Sequence, residues 1–237
     1  MTAPLFYVDH LPRQGQVTVT GDEARHATVA MRLHVGEAVL VGDGRGGLAD
    51  CVVGSVDRRQ GLVAAVRTHR HVPAPRAIVV VQAVPKGERA ELAVELLTEC
   101  GVTAVVPWQS QRTVPDWGDK REVKRQRWQR VARAAAKQSR RAWIPEVAEV
   151  QKGLPVIQGA GLILHEDADE RLYDLDPPPG PVTVVVGPEG GLDDDEVEGL
   201  VAAGAVPVRM GPEILRTSTA GAAACMWLRG LEMRLGA

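Results

Sequence analysis

Five short apolar segments after residue 76 set the strongest constraint on what this chain can fold into. They are AIVVVQAVP, VTAVVPW, GLILHED, VTVVVGPEGG and PVRMGPE. Amphipathic helical patterns separate them: GERAELAVELLTECG, a long basic stretch over about 119–142, DDDEVEGLVAAG and TSTAGAAACMWLRGLEMRL. Strands that are apolar at nearly every position, alternating with helices, predict a parallel α/β sheet covered on both faces. The aromatic content is only 3%, so its core must be built from Val, Leu, Ile and Ala.

The first 72 residues read differently. QVTVT, EAVLVGDGRGGLADCVVGSV and LVAAVRTH are short strands, and Gly42-Asp43-Gly44 with Gly46-Gly47 marks a hairpin. Between the first two lies GDEARHATVAMRLHVGE, where Asp22 is expected to cap a short helix with Val29, Met31 and Leu33 turned inward. Strands at this spacing predict a small β-barrel with one helix. The Pro-rich HVPAPR marks the change of pattern, giving expected domains of 1–72 and 76–237. The apolar runs are too short to span a bilayer, and MTAPLFYVDH lacks the layout of a secretory signal. Cys51, Cys100 and Cys225 are odd in number and far apart, which fits a reducing cytoplasm rather than a disulfide framework or zinc site.

Charge is unevenly spread. Residues 73–141 carry 14 basic and 7 acidic side chains, whereas 142–237 carry 6 and 16. The basic excess sits in KREVKRQRWQRVARAAAKQSRR, where 10 of 22 residues are Lys or Arg and one is acidic. Arg130, Arg133, Lys137 and Arg141 fall on one helical stripe, and Trp128, Val131, Ala135 and Ala142 form a face able to pack on a sheet. A charge run is ordinarily a solvated surface, but ten like charges without acidic partners point to nucleic-acid phosphate. Trp143 could stack on a base or serve as a core or rim residue.

Two strand ends carry the chemistry. Val182–Val186 runs into Gly187-Pro188-Glu189-Gly190-Gly191, and a helix starts near Asp193 with Glu196 in capping-box position. This is neither a P-loop nor a GxGxxG fingerprint, and Asp193–Asp195 would repel phosphate. Further on, Met210-Gly211-Pro212-Glu213-Ile214-Leu215 presents Arg216 before Thr217 or Ser218 caps the last helix. Alone, the first could be no more than a tight strand–helix turn, but two Gly-Pro-Glu turns at the ends of two strands of one sheet are expected to meet at its C-terminal edge, where open α/β sheets bind ligands.

GPEGGL before an acidic helix start, then MGPEILRTSTA opening the last helix, resembles the ribosomal small-subunit methyltransferase E family of the knotted SPOUT class. His26-x4-Met31-Arg32-Leu33-x2-Gly36, Asp43-Gly44, Lys86-Gly87-Glu88, Glu99–Val102, Arg127-Trp128, Pro145-Glu146 and Leu164-His165 extend the likeness along nearly the whole chain. One departure is Ser218, where the family often has Glu.

The resemblance implies a PUA-like barrel, a trefoil-knotted C-terminal domain, homodimers, and methylation of uridine N3 in 16S ribosomal RNA by S-adenosylmethionine. It places cofactor among Leu164, His165, Gly187, Pro188, Glu189, Gly190, Gly191, Met210, Gly211, Ile214, Leu215, Arg216 and Thr217. Candidate RNA contacts are His26, Arg32, Lys86, Arg89, Arg112, Arg130, Arg133, Lys137 and Arg141. Uracil N3 holds its proton at neutral pH, so Arg216 is the candidate donor to the developing carbonyl anion. Glu189 is the candidate base, and no metal is required. The alternatives within this reading are a ribose 2′-O-methyltransferase and a non-catalytic RNA-binding assembly factor.

Overall fold

The computed structural model describes residues 3–57, 61–176 and 178–235. Packing divides the chain into two units. One is the chain up to Ala74 together with Ala136–Ile144, and the other is Pro75–Ala135 with the chain from Pro145 onward. The units are therefore not two consecutive stretches of sequence.

In the N-terminal unit, strands β1 (Leu5–Tyr7), β2 (Gln16–Val19), β3 (Ala38–Gly42), β4 (Gly47–Asp57) and β5 (Gly61–His71) form one sheet in the order β1-β3-β4-β5-β2. Only β1, which pairs parallel to β3, has no counterpart among the strands expected from the sequence. Alternate residues turn inward, so Phe6, Val17, Val19, Val39, Val41, Cys51 and Leu62 form the core. The β3–β4 turn is fixed by Asp43, whose carboxylate accepts the N–H groups of Arg45 (2.7 Å) and Gly47 (2.9 Å). Gly46, at φ +98°, leaves no room for a Cβ beside His71 and Trp143.

The connecting helix departs from expectation. α1 (Gly21–Arg25) runs into a π-helical turn at His26–Ala30, with Met31 N–H bonded to His26 O at 3.0 Å. Five-residue bonding rotates the faces away from a 3.6 period, so Ala24 and Ala27 are buried while Val29 and Met31 are 57% and 42% exposed. Thr20, not Asp22, precedes the helix, and it makes no side-chain cap.

The C-terminal unit contains β6 (Ile78–Ala83), α2 (Arg89–Glu99), β7 (Ala104–Gln109), most of α3 (Arg121–Gln138), β8 (Glu146–Val147), β9 (Gln151–Lys152), β10 (Ala160–Leu164), β11 (Val182–Val186), α4 (Asp194–Ala202), β12 (Ala205–Val208) and α5 (Thr217–Leu235). The sheet is wholly parallel in the order β12-β10-β11-β6-β7-β8, with β9 also on β7. Ile78, Val80, Val182 and Val184 face a core shared with Leu97 of α2, Trp128 and Ala132 of α3, and Leu228 of α5. Val81, Val185 and Ile163 face Leu200 of α4 on the other side. Both faces being covered explains why these strands are apolar throughout.

α3 ends at Gln138, short of the expected 142. Arg140 adopts φ +55° and leaves Arg141 beyond the helix. Among the described residues, no helix is long and apolar enough to cross a membrane.

Candidate active site

The ends of β10 and β11 and the segment after β12 meet at the C-terminal edge of the sheet, the edge where open α/β sheets hold ligands. β11 is buried at all five positions and ends at Gly187-Pro188, since proline has no N–H to continue the ladder. The chain then turns tightly, with Gly191 N–H donating to Pro188 O at 3.0 Å and Gly191 in the left-handed region at φ +74°. Asp193 caps α4 in the expected capping box, and the Glu196 carboxylate returns to the Asp193 N–H at 3.1 Å.

Three further ties hold this loop. The second Glu196 oxygen accepts the Gln111 N–H at 2.8 Å. Arg112 pairs with Asp193 at 3.2 Å and donates to Gly190 O at 3.4 Å. Glu189 accepts the backbone N–H of Lys86 at 3.0 Å. Opposite, the buried Gln82 amide at the end of β6 donates to Thr217 O at 3.2 Å and to Ala83 O at 3.0 Å. The bond to Thr217 anchors the start of α5.

A cavity of about 280 Å³ opens between these loops. Leu164, His165, Gly187, Pro188, Glu189, Gly191, Ile214, Leu215, Arg216 and Thr217, all expected around the site, line it. Met210 and Gly211 line an adjoining cavity of about 80 Å³ that shares Leu164, His165, Ile214 and Leu215. Gly190 lines neither. Sequence reasoning missed Glu166 and the supporting Gln82, and noted Ser218 only as a helix-cap candidate and a departure from the family's usual Glu, not as a lining residue. Of the two missed, only Gln82 gave a signal, as the lone amide within an apolar strand. Arg89, expected at RNA, opens onto the cavity at the start of α2.

The lining is chemically divided. Glu166 and Glu189 supply carboxylates, Arg89 and Arg216 supply guanidinium groups, and Leu164, Val186, Ile214 and Leu215 supply apolar surface. Ile214 is 76% exposed at the rim. His165 Nδ1 accepts the Asp167 N–H at 3.2 Å, which leaves Nε2 to carry the proton of the neutral ring. Ser218 is 2% exposed, and its Oγ meets no hydrogen-bond partner among the described residues.

The basic residues expected at RNA are divided between the units. His26, Arg32, Lys137 and Arg141 belong to the N-terminal one, and Lys86, Arg89, Arg112, Arg130 and Arg133 to the other. Lys137 departs furthest from a solvated stripe. Its ammonium, 15% exposed, pairs with Glu23 at 2.9 Å and lies 5.9 Å from the Phe6 ring. Arg32 is exposed with φ +52°, and Arg130 is exposed on α3. Trp143 is a packing residue whose Nε1 donates to Val72 O at 3.0 Å, with its ring edge-on to His71.

A family model described as an RNA methyltransferase domain matches residues 72–229, and one described as an RNA methyltransferase PUA domain matches 19–64. Fold and strand-end cavity thus fall within the class of RNA methyltransferases. A Mycobacterium bovis protein named ribosomal RNA small subunit methyltransferase E is 48% identical, over 94% of this chain and 90% of its own length. The Bacillus subtilis protein of that name is 29% identical over 86% and 85%. A crystal structure of the Neisseria gonorrhoeae one, bound to S-adenosylmethionine, aligns with TM-score 0.86 at 26% identity, covering 97% of this chain and 98% of that one. The chain belongs to the ribosomal RNA small subunit methyltransferase E family.

Proposed function

We propose that this protein transfers a methyl group from S-adenosylmethionine to N3 of a uridine in 16S ribosomal RNA, acting on the small ribosomal subunit in the cytoplasm. The observation that carries the reading is the convergence of three strand-end loops on one cavity in a chain of this family.

The lining suits the cofactor by its chemistry. Leu164, Val186, Ile214 and Leu215 offer apolar surface to adenine, and Glu166 and Glu189 complement the cationic and hydroxyl groups of the rest of the cofactor. When bound, the cofactor supplies an electrophilic methyl on a positively charged sulfur.

The chain's own residues must orient a base taken out of its stack and favour loss of its N3 proton. Arg216 is suited to the second role, because its exposed guanidinium borders the cavity and can donate to a uracil carbonyl oxygen as charge builds there. Glu189 has one oxygen occupied by Lys86 N–H, so we assign it to bracing the loop rather than to removing the proton. Arg130 and Arg32 supply exposed positive charge for phosphate. The N-terminal unit is assigned to RNA docking, and the working form is taken to be a homodimer.

The deciding experiment is transfer of labelled methyl onto small subunits from cells lacking this protein, with mass spectrometry of nuclease digests. Label on uracil N3 supports the reading. Label on ribose, or none, overturns it.

A further inference from the structure

Ser218 lines the cavity, its Oγ is itself shielded there, and the proposed mechanism leaves it unused. It is the second residue of α5, a 19-residue helix, and at 2% exposure it is more than nine-tenths buried. Its Oγ has no hydrogen-bond partner among the described residues, although the residue lines the cavity. Buried hydroxyls are nearly always paired, so one without a protein partner marks where a ligand atom belongs.

The surroundings say which kind of atom. Around the cavity the charged and titratable groups are Arg89 on α2, His165 and Glu166 after β10, Glu189 after β11 and Arg216 before α5. Both carboxylates lie on the β10 and β11 loops, while the α5 side has Arg216 and the helix N-terminus, the positive end of its dipole. A cationic, hydroxyl-bearing cofactor is complemented by the first side. A base that gains negative charge as its N3 proton departs is complemented by the second. Gln82, through Thr217 O, holds the turn that presents Ser218.

We propose that the Ser218 hydroxyl donates a hydrogen bond to a carbonyl oxygen of the target uracil, acting with Arg216 to stabilise the imide anion. This rests on the base-methylation reading above. No bond is made or broken at Ser218. The N3 proton leaves to solvent or a base, and the electron pair it leaves behind spreads onto the carbonyl oxygens to which Ser218 and Arg216 would donate.

The test compares full-length wild type, Ser218→Ala and Ser218→Thr for S-adenosylmethionine affinity by calorimetry. Turnover on small subunits lacking the methyl is then followed across pH. Loss of one donor to a developing oxyanion predicts a fall in kcat of about ten- to a hundredfold for Ser218→Ala. The pH midpoint of kcat should rise by about one to two units, with cofactor Kd within about twofold of wild type. Ser218→Thr, which keeps the hydroxyl, should restore most of kcat. The proposal is overturned if Ser218→Ala turns over normally, or if its loss appears in cofactor Kd. It is equally overturned if kcat falls without a change in midpoint, or if Ser218→Thr is as impaired as Ser218→Ala. A wild type that transfers no methyl to uracil overturns the underlying reading instead, separately from these outcomes.

Discussion

Glu196 and Gln111 are joined by a hydrogen bond of 2.8 Å from the Gln111 backbone N–H to the Glu196 carboxylate, linking the segment after β7 to the first turn of α4. The other oxygen of Glu196 closes the capping box at Asp193. One side chain, 5% exposed, therefore braces the glycine-rich loop from two directions. Glu196→Ala removes the return bond of the capping box at Asp193 and the bond from the exposed Gln111 N–H, each a hydrogen bond to a charged group worth about 1–2 kcal/mol. Urea unfolding should show a loss of about 2–4 kcal/mol, and calorimetry a weaker S-adenosylmethionine Kd. Unchanged cofactor affinity would show that the brace does not shape the site.

Arg216 is expected to act on turnover rather than on cofactor binding. Arg216→Ala should lower kcat by about a hundredfold, the scale of removing one oxyanion donor, while cofactor Kd stays within about twofold. Near-normal turnover with intact cofactor binding would remove Arg216 from the mechanism.

Much of this site was legible in the sequence, for a physical reason. A strand apolar on both faces can only be central, and a Gly-Pro turn at its end can only stop it, so Val182–Gly191 announces its place. The capping box at Asp193 and Glu196 is equally local. What the sequence concealed depends on partners remote along the chain. The Glu196 bond reaches 85 residues back to Gln111, and the Lys137 bond reaches 114 residues back to Glu23. The π turn at His26–Ala30 misled the inward assignment of Val29 and Met31 because periodicity arguments assume a 3.6-residue repeat. β8 and β9, two residues each, are too short to carry any pattern.

Glu122 provides a pH signature at the start of α3. Hydrogen bonds from Arg125 (2.8 and 2.7 Å) and Gln126 (2.8 Å) hold its carboxyl down from 4.5 to about 2. A depressed folded value means that its stabilisation is complete above the unfolded value of 4.5 and is lost as pH falls toward 2. Glu122→Gln should therefore lower Tm slightly at pH 7, the pair being solvent-exposed and screened. That difference should vanish by about pH 2. A Tm gap independent of pH would show that the carboxylate charge is not its source.

Lys137 and Arg130 lie on the same helix and were expected to share one role, yet the structure separates them. Lys137 is matched by Glu23 at 2.9 Å with both side chains largely shielded, 15% and 17% exposed, so its charge is already neutralised within the N-terminal unit. Arg130 is exposed and open to phosphate. Removing one cation that meets a phosphate should reduce the slope of log K against log salt by about 0.7–0.9. Arg130→Gln is thus expected to flatten the salt dependence of ribosomal RNA binding by about that amount and to leave Tm nearly unchanged. Lys137→Gln should do the reverse, leaving the slope unchanged while lowering stability, because it strands a shielded carboxylate. Adding Glu23→Gln should recover part of that stability, since it removes the uncompensated shielded charge and leaves two neutral amides able to bond each other. If instead Lys137→Gln flattens the slope as much as Arg130→Gln does, the Glu23 pair opens on binding and Lys137 returns to the set of residues that meet phosphate.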